Sequence, residues 1–222
     1  MKKLILGVSF ILASFSMVSA EIGVNLGISG NLAVFHATGV EEDTNTAATS
    51  TEKNTEDATG VAGYTSYFIE KTLGDRITIG YDYVPSALDS ETSETVRMDK
   101  TTTDTQTSKT NTVKVAFEDL STLYVALNIT ENFYVKAGMA TVDVVTKENL
   151  ATGSDYGNTS LDGSVMGVGY NNTFDNGMFF RVEGTYMDFD NAKLVSTTNA
   201  DNTISLNNLE GASGKLSIGK SF

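Results

Sequence analysis

Between residues 22 and 34, even positions carry Ile22, Val24, Leu26, Ile28, Leu32 and Val34, while odd positions carry Gly23, Asn25, Gly27, Ser29 and Asn31. Side chains alternate across a strand at every residue, so this is a strand with one apolar face and one small, polar face. The pattern recurs along a chain whose mean hydropathy is only −0.10 and whose last residue is Phe222. Barrel strands hide from hydropathy because half of their residues face inward, and the combination implies a closed barrel with lipid outside and polar groups inside.

The N-terminus fits that placement. Lys2 and Lys3 precede an apolar run from Leu4 to Phe15 and then Val18-Ser19-Ala20, which has the layout of an export signal cut between Ala20 and Glu21. The run is shorter than the ~20 residues of a spanning helix. The expected organisation is a signal peptide over 1–20 and a barrel over 21–222. Leaving out the two lysines takes the net charge from −13 to −15, which argues against a nucleic-acid partner. With no cysteine and one histidine the chain offers no disulfide and no structural zinc set, and no cofactor is expected. A single proline, Pro85, suits a chain made mostly of ladders.

Eight strands are expected near 22–36, 61–71, 76–84, 113–129, 133–145, 164–173, 178–189 and 211–222, an all-β, antiparallel, up-and-down transmembrane barrel. Tight turns at Leu73-Gly74-Asp75, Thr130-Glu131-Asn132 and Asp175-Asn176-Gly177 alternate with long polar connections at 37–60, 85–112, 146–163 and 190–210. Short turns on one side and long loops on the other are the rhythm of outer-membrane barrels. Glu118-Asp119-Leu120-Ser121 interrupts the fourth strand and reads as a bulge, since 113–117 alone is too short to span.

Parity assigns faces. Ile77, Ile79, Tyr81, Leu123, Val125, Leu127, Val135, Ala137, Met139, Met166, Val168, Phe180, Val182, Leu216 and Ile218 face lipid. Glu70, Arg76, Asp82, Lys114, Glu118, Lys136, Arg181, Glu183 and Lys215 then face the lumen as a nearly balanced, mutually paired charge network. An eight-strand interior is only wide enough for side chains, so no wide constitutive pore is expected. Aromatic girdles are expected from Phe35, Tyr64, Tyr83, Tyr186 and Phe189 toward the outer side and Phe133, Phe174, Phe179 and Phe222 toward the inner.

The signal segment, the strand rhythm and the ending Gly214-Lys215-Leu216-Ser217-Ile218-Gly219-Lys220-Ser221-Phe222 resemble the small outer-membrane β-barrel family that includes the OmpA membrane domain and OmpX. The resemblance implies a cell outer membrane location of the Gram-negative type, with lipids and lipopolysaccharide as surroundings. It also implies that Leu216, Ile218 and Phe222 form the signal read by the barrel-assembly machinery. Lys220 departs from that signal, standing where a hydrophobic residue is usual.

His36 is the one imidazole available as a base, and Ala33-Val34-Phe35-His36-Ala37 supplies it no partner motif, so no catalysis is expected. The acids of 37–60 match no calcium-loop spacing and read as a solvated loop. The function expected is structural, with acidic loops making surface contacts to a ligand the sequence leaves unnamed. A porin-like path for small solutes or ions is the alternative.

Overall fold

The computed structural model describes residues 23–44, 51–89, 93–100, 106–149, 155–198, 200 and 202–222; the expected signal segment lies outside them. Eleven strands form one antiparallel sheet: β1 (Val24–Thr44), β2 (Thr51–Leu73), β3 (Ile77–Tyr83), β4 (Leu88–Asp89), β5 (Ser93–Lys100), β6 (Gln106–Asn128), β7 (Phe133–Asn149), β8 (Thr159–Thr173), β9 (Met178–Phe189), β10 (Ala192–Val195) and β11 (Thr203–Ser221). The order around the wall is β1-β2-β3-β6-β7-β8-β9-β11, and β11 pairs back onto β1. β4 and β5 run along β6 beyond the end of β3, and β10 runs along β11 beyond the end of β9. The eleven strands therefore occupy the eight wall positions that the sequence implies. Following paired residues once around the ring returns to β2 about ten residues further along, a stagger that tilts the strands of an eight-position barrel.

The tight turns fall where Gly and Asn are available. Gly74 and Gly177 take φ of 62° and 78°, a region that costs glycine little. The connections read from sequence as loops are largely strand instead. β1 and β2 stay in register to Thr44↔Thr51, and β6 begins at Gln106. Threonine-rich polar stretches pair readily when a neighbour supplies the ladder, and an apolar-alternation criterion passes over them.

Two bulges shape the outer half. In β6 two residues, Asp119 and Leu120, stand opposite one residue of β7, and in β11 Asn208 and Leu209 stand opposite one residue of β1. Asp119 and Asn208 take the left-handed conformation, with φ of 53° and 52°. β6 and β11 lie four positions apart around the ring, directly across the barrel. Each bulge drives its leucine inward: Leu120 and Leu209 are both buried in one apolar cluster with Val84, Val142, Leu161, Val165, Met187 and Phe189.

The wall is closed at the level of the turns and divides above it. β2 pairs with β3 only from Leu73↔Ile77 to Tyr67↔Tyr83, and Val84 then turns its N–H to Leu120 O. Pro85 follows, where a ladder donor would be needed to continue. Above this point β2-β1-β11-β10 stand on one side of the gap as one leaf and β5-β6-β7-β8 on the other, and away from the gap the two leaves stay joined, with Asp190 N donating to Asp162 O and Thr197 N to Asp155 O, both at 2.8 Å. Glu42 ties the first leaf together, 3.5 Å from both Lys53 on β2 and Lys193 on β10. The Lys193 ammonium, and after it that of Lys53, holds this carboxyl below the usual carboxylate range.

Candidate functional site

The outer surface of the closed part is apolar. Leu216, Ile218, Met139, Met166, Val168 and Leu32 are each about 60% exposed, and the full set assigned to lipid by parity lies on this face. Tyr83, Tyr186, Phe133, Phe174 and Phe222 stand at its margins on the outside. Four aromatics expected in the girdles do not: Phe179 and Phe189 are buried in the interior, and Phe35 and Tyr64 pack inward against the apolar cluster. Strand-end position alone does not separate the two faces; parity does, and it turns these four inward.

The interior has two storeys. The lower one, nearer the turns, is a charged plug. Arg181 on β9 reaches across the barrel to Glu70 on β2 with a two-point contact, Nη1 to Oε1 at 2.6 Å and Nη2 to Oε2 at 2.9 Å. Tyr124 donates to Glu70 Oε1 at 2.6 Å and Asn25 donates to Oε2 at 3.1 Å. Lys136 pairs with Glu183, which also accepts from Tyr134 at 2.5 Å. Lys215 pairs with Asp82, and Ser66 and Asn31 extend that pair in a hydrogen-bonded chain. Three cations thus meet three anions, each anion with a further donor, which is the condition under which buried charge is tolerated.

Glycines make the plug possible. Gly80 stands directly across from Tyr124, and Gly169 across from Tyr134; a Cβ on either glycine would lie 2.3 Å and 2.2 Å from the tyrosine ring. Each ring lies flat over its glycine, which aims its hydroxyl at Glu70 or Glu183. The same arrangement seats Phe68 over Gly27 and Phe179 over Gly219. The guanidinium of Arg181 lies 5.2–5.3 Å from the Phe68, Tyr134 and Phe179 rings, and its Nε, which has no acceptor, faces this aromatic box.

The upper storey is the apolar cluster at the bulges, a layer that a uniformly polar lumen does not anticipate. Between the storeys a void of about 20 Å³, bordered by Asn31, Lys136, Glu183, Val84 and Leu120, has room for about one water.

Six of the nine charges expected in the lumen are brought together: Glu70, Asp82, Lys136, Arg181, Glu183 and Lys215. Arg76 is not among them, because it lies exposed in the turn between β2 and β3, one residue before the ladder imposes parity. Glu118 is not either: Phe117 packs inward, and the bulge that follows turns Glu118 to the opposite face, in register with Asp143. The side chain of Lys114 lies outside the described residues. The plug residues that sequence reasoning missed are Tyr124 and Tyr134. Parity alone held part of the signal, since Tyr134 shares the inward parity of Lys136 on β7 and Tyr124 alternates with the outward Leu123 and Val125 on β6.

Leu216 and Ile218 point outward on the last strand, and Phe222 pairs its backbone with Val24 to complete the ring. Lys220 bends over the Phe222 ring, 5.6 Å from its centroid. His36 is half-buried on the outer side, with Nδ1 3.1 Å from Thr59 Oγ1.

No protein-family model matches the chain, and no curated protein matches it in sequence. Among solved structures it is similar to the outer membrane protein OprG from Pseudomonas aeruginosa, at 12% identity and a TM-score of 0.56 over 89% of this chain and 95% of that one. The outer membrane protease OmpT from Escherichia coli overlaps 93% of this chain and all of its own at 9% identity, with a TM-score of 0.47. Ail, the attachment invasion locus protein of Yersinia pestis, overlaps 88% of this chain and 99% of its own at 12% identity, with a TM-score of 0.38. The last two superpose too loosely to carry an argument. At such identities OprG speaks for the fold alone, and that fold is the small outer-membrane β-barrel.

Proposed function

We propose that the chain is an integral outer-membrane protein that is sealed to water and ions and that serves to hold a two-leaf sheet outside the membrane for surface contacts. The observation that carries this reading is the paired charged plug: all six charges that meet across the barrel are neutralised within it, and a second, apolar layer closes the barrel above. Ion passage through such a barrel would require both layers to part. The apolar outer band supports contact with lipid acyl chains, and its aromatic margins support headgroup depth. Lipopolysaccharide would surround the leaves. Leu216, Ile218 and Phe222, outward on the closing strand, would be the residues offered to the assembly machinery, as in OmpA- and OmpX-like barrels.

Two measurements test the reading. Purified protein in a planar bilayer should give no steady conductance, and Arg181→Leu should not create an ion-selective one, because the apolar layer above stays shut. A Thr55→Cys variant, in a chain with no other cysteine, should react on whole cells with a membrane-impermeant maleimide. Steady, selective single-channel openings would favour the porin-like alternative, and absence of labelling would remove the surface role.

A further inference from the structure

The closed part of the wall holds Lys136, Arg181 and Lys215 in the plug, and the lysines that stand outward on its described strands are Lys71 on β2 and Lys220 on β11. Both flank the foot of β1, where Lys71 pairs with Val24 and Lys220 with Leu26. Two strand spacings and two residues of rise separate them, roughly 12 Å between Cα atoms, so two long side chains can converge on one group between them. Phe222 lies in that interval, its backbone paired with Val24 and its ring 5.6 Å from the Lys220 ammonium. Between Asp57, Asp188 and Glu210 and the turns, β1, β2, β9 and β11 carry no outward acid among the described residues. The acids of this margin, Asp75 and Asp175, are in the turns themselves. On a chain of net charge −13 this wall segment is locally basic.

Above the two lysines the apolar face is hollowed. Ile28, Gly30, Thr65, Phe180, Leu216 and Ile218 border a depression of about 400 Å³ on the lipid side. Gly30 is its floor, pairing with Thr65 on one side and Leu216 on the other, and nothing lies within 4 Å of where its Cβ would stand. From Lys220 up to Gly214 the strand rises ~20 Å along its own axis and ~15 Å along the membrane normal at a tilt of ~40°, half of a ~30 Å hydrocarbon core. The lysines therefore stand at the headgroup depth of the leaflet on the turn side, and the hollow lies within reach of an acyl chain from that leaflet.

We propose that β2, β1 and β11 form a binding site for an anionic phospholipid of the leaflet on the turn side, with its phosphate between Lys71 and Lys220 and one acyl chain in the hollow over Gly30. Charge makes the selection, because a zwitterionic lipid carries its own cation beside the same phosphate and gains less from two lysines. A second copy laid on this face would bring its own Lys71 and Lys220 to the same depth and be repelled, and a free phosphate would leave the hollow without an occupant. The inference rests on the outer-membrane reading above and names a lipid class that the barrel holds there.

Native mass spectrometry tests it on the refolded full chain, released from micelles containing phosphatidylglycerol and phosphatidylcholine with identical chains. Retention of one phosphatidylglycerol in preference to phosphatidylcholine is expected. Lys71→Gln and Lys220→Gln should each lower that preference about fivefold, and the two together about twenty-five-fold, while keeping the heat-shifted gel mobility of a folded barrel. Gly30→Leu fills the hollow; it should lower retention of dipalmitoyl phosphatidylglycerol and leave the weaker retention of the dihexanoyl lipid as it was. An unchanged preference in the double lysine variant, or equal retention of phosphatidylcholine by the parent, would reduce the site to an ordinary lipid coat and overturn the inference. So would unchanged retention of the dipalmitoyl lipid by Gly30→Leu, displacement by lipopolysaccharide, which belongs to the opposite leaflet, or displacement by inorganic phosphate. A chain that folds into vesicles without lipid preference fails this inference alone, whereas one that does not fold into them fails the outer-membrane reading.

Discussion

Arg181 and Glu70 lie far apart in sequence, on β9 and β2, and meet through a contact that neither strand makes alone. The guanidinium side chain is 11% exposed and the carboxylate 1%, so solvent does little to screen the pair. Arg181→Leu would leave Glu70 charged, buried and held only by Tyr124 and Asn25. The expected loss is about 3–5 kcal/mol of stability, with much of it recovered when Glu70→Leu is added, because the cost lies in the orphaned charge. Urea unfolding of the refolded barrel in micelles, followed by circular dichroism, measures both. If the single and double variants unfold alike, the pair is not what makes Arg181 valuable. At this scale six of the charges were legible by parity alone, since a regular ladder fixes the face of every residue. Arg76 and Glu118 were misread because parity has no meaning in a turn and reverses across a bulge. The tyrosine-on-glycine contacts were not legible: seeing that Gly80 meets Tyr124 requires the register between β3 and β6, which the sequence of either strand leaves open.

Among the elements, the two bulges decide how the upper barrel closes. Asn208 sits at φ 52° and its N–H is capped by Asn191 Oδ1 at 3.1 Å, where β9 gives way to β10. A β-branched residue pays a steric cost in that conformation and glycine does not. Asn208→Val should therefore destabilise by about 1–3 kcal/mol and loosen Leu209, whereas Asn208→Gly should stay within about 1 kcal/mol of the parent. Thermal unfolding in micelles gives the ranking, and equal effects of Val and Gly would show that the bulge tolerates a regular ladder. The β6 bulge was readable because Glu118-Asp119-Leu120-Ser121 broke an apolar alternation. The β11 bulge was not, since Asn207-Asn208-Leu209-Glu210 falls in polar sequence with no pattern to break. For the same reason the extensions of β1, β2 and β6 read as loops: alternation marks a strand only where one face is apolar, and outside the membrane neither face of these extensions needs to be.

For the molecule as a whole the decisive question is which solvent the apolar face meets. Leu216 is 65% exposed and lies between Gly30 on β1 and Val182 on β9, well inside the apolar band, while Glu210, six residues up the same strand, is paired with Asp188 beyond it. In water Leu216→Arg would be a surface change of little consequence, or a favourable one. In a bilayer the arginine sits near the midplane and costs about 2–4 kcal/mol, whereas the same change at Met139, near the outer margin, costs about 0–1 kcal/mol. Folding titrations into phosphatidylcholine vesicles should reproduce that gradient with depth, and folding in aqueous buffer without lipid should fail for every version. A flat response along β11 and β7 would detach the apolar band from the membrane. With it would go the reason why a chain of net charge −13 keeps its apolar side chains outside and six of its charges within.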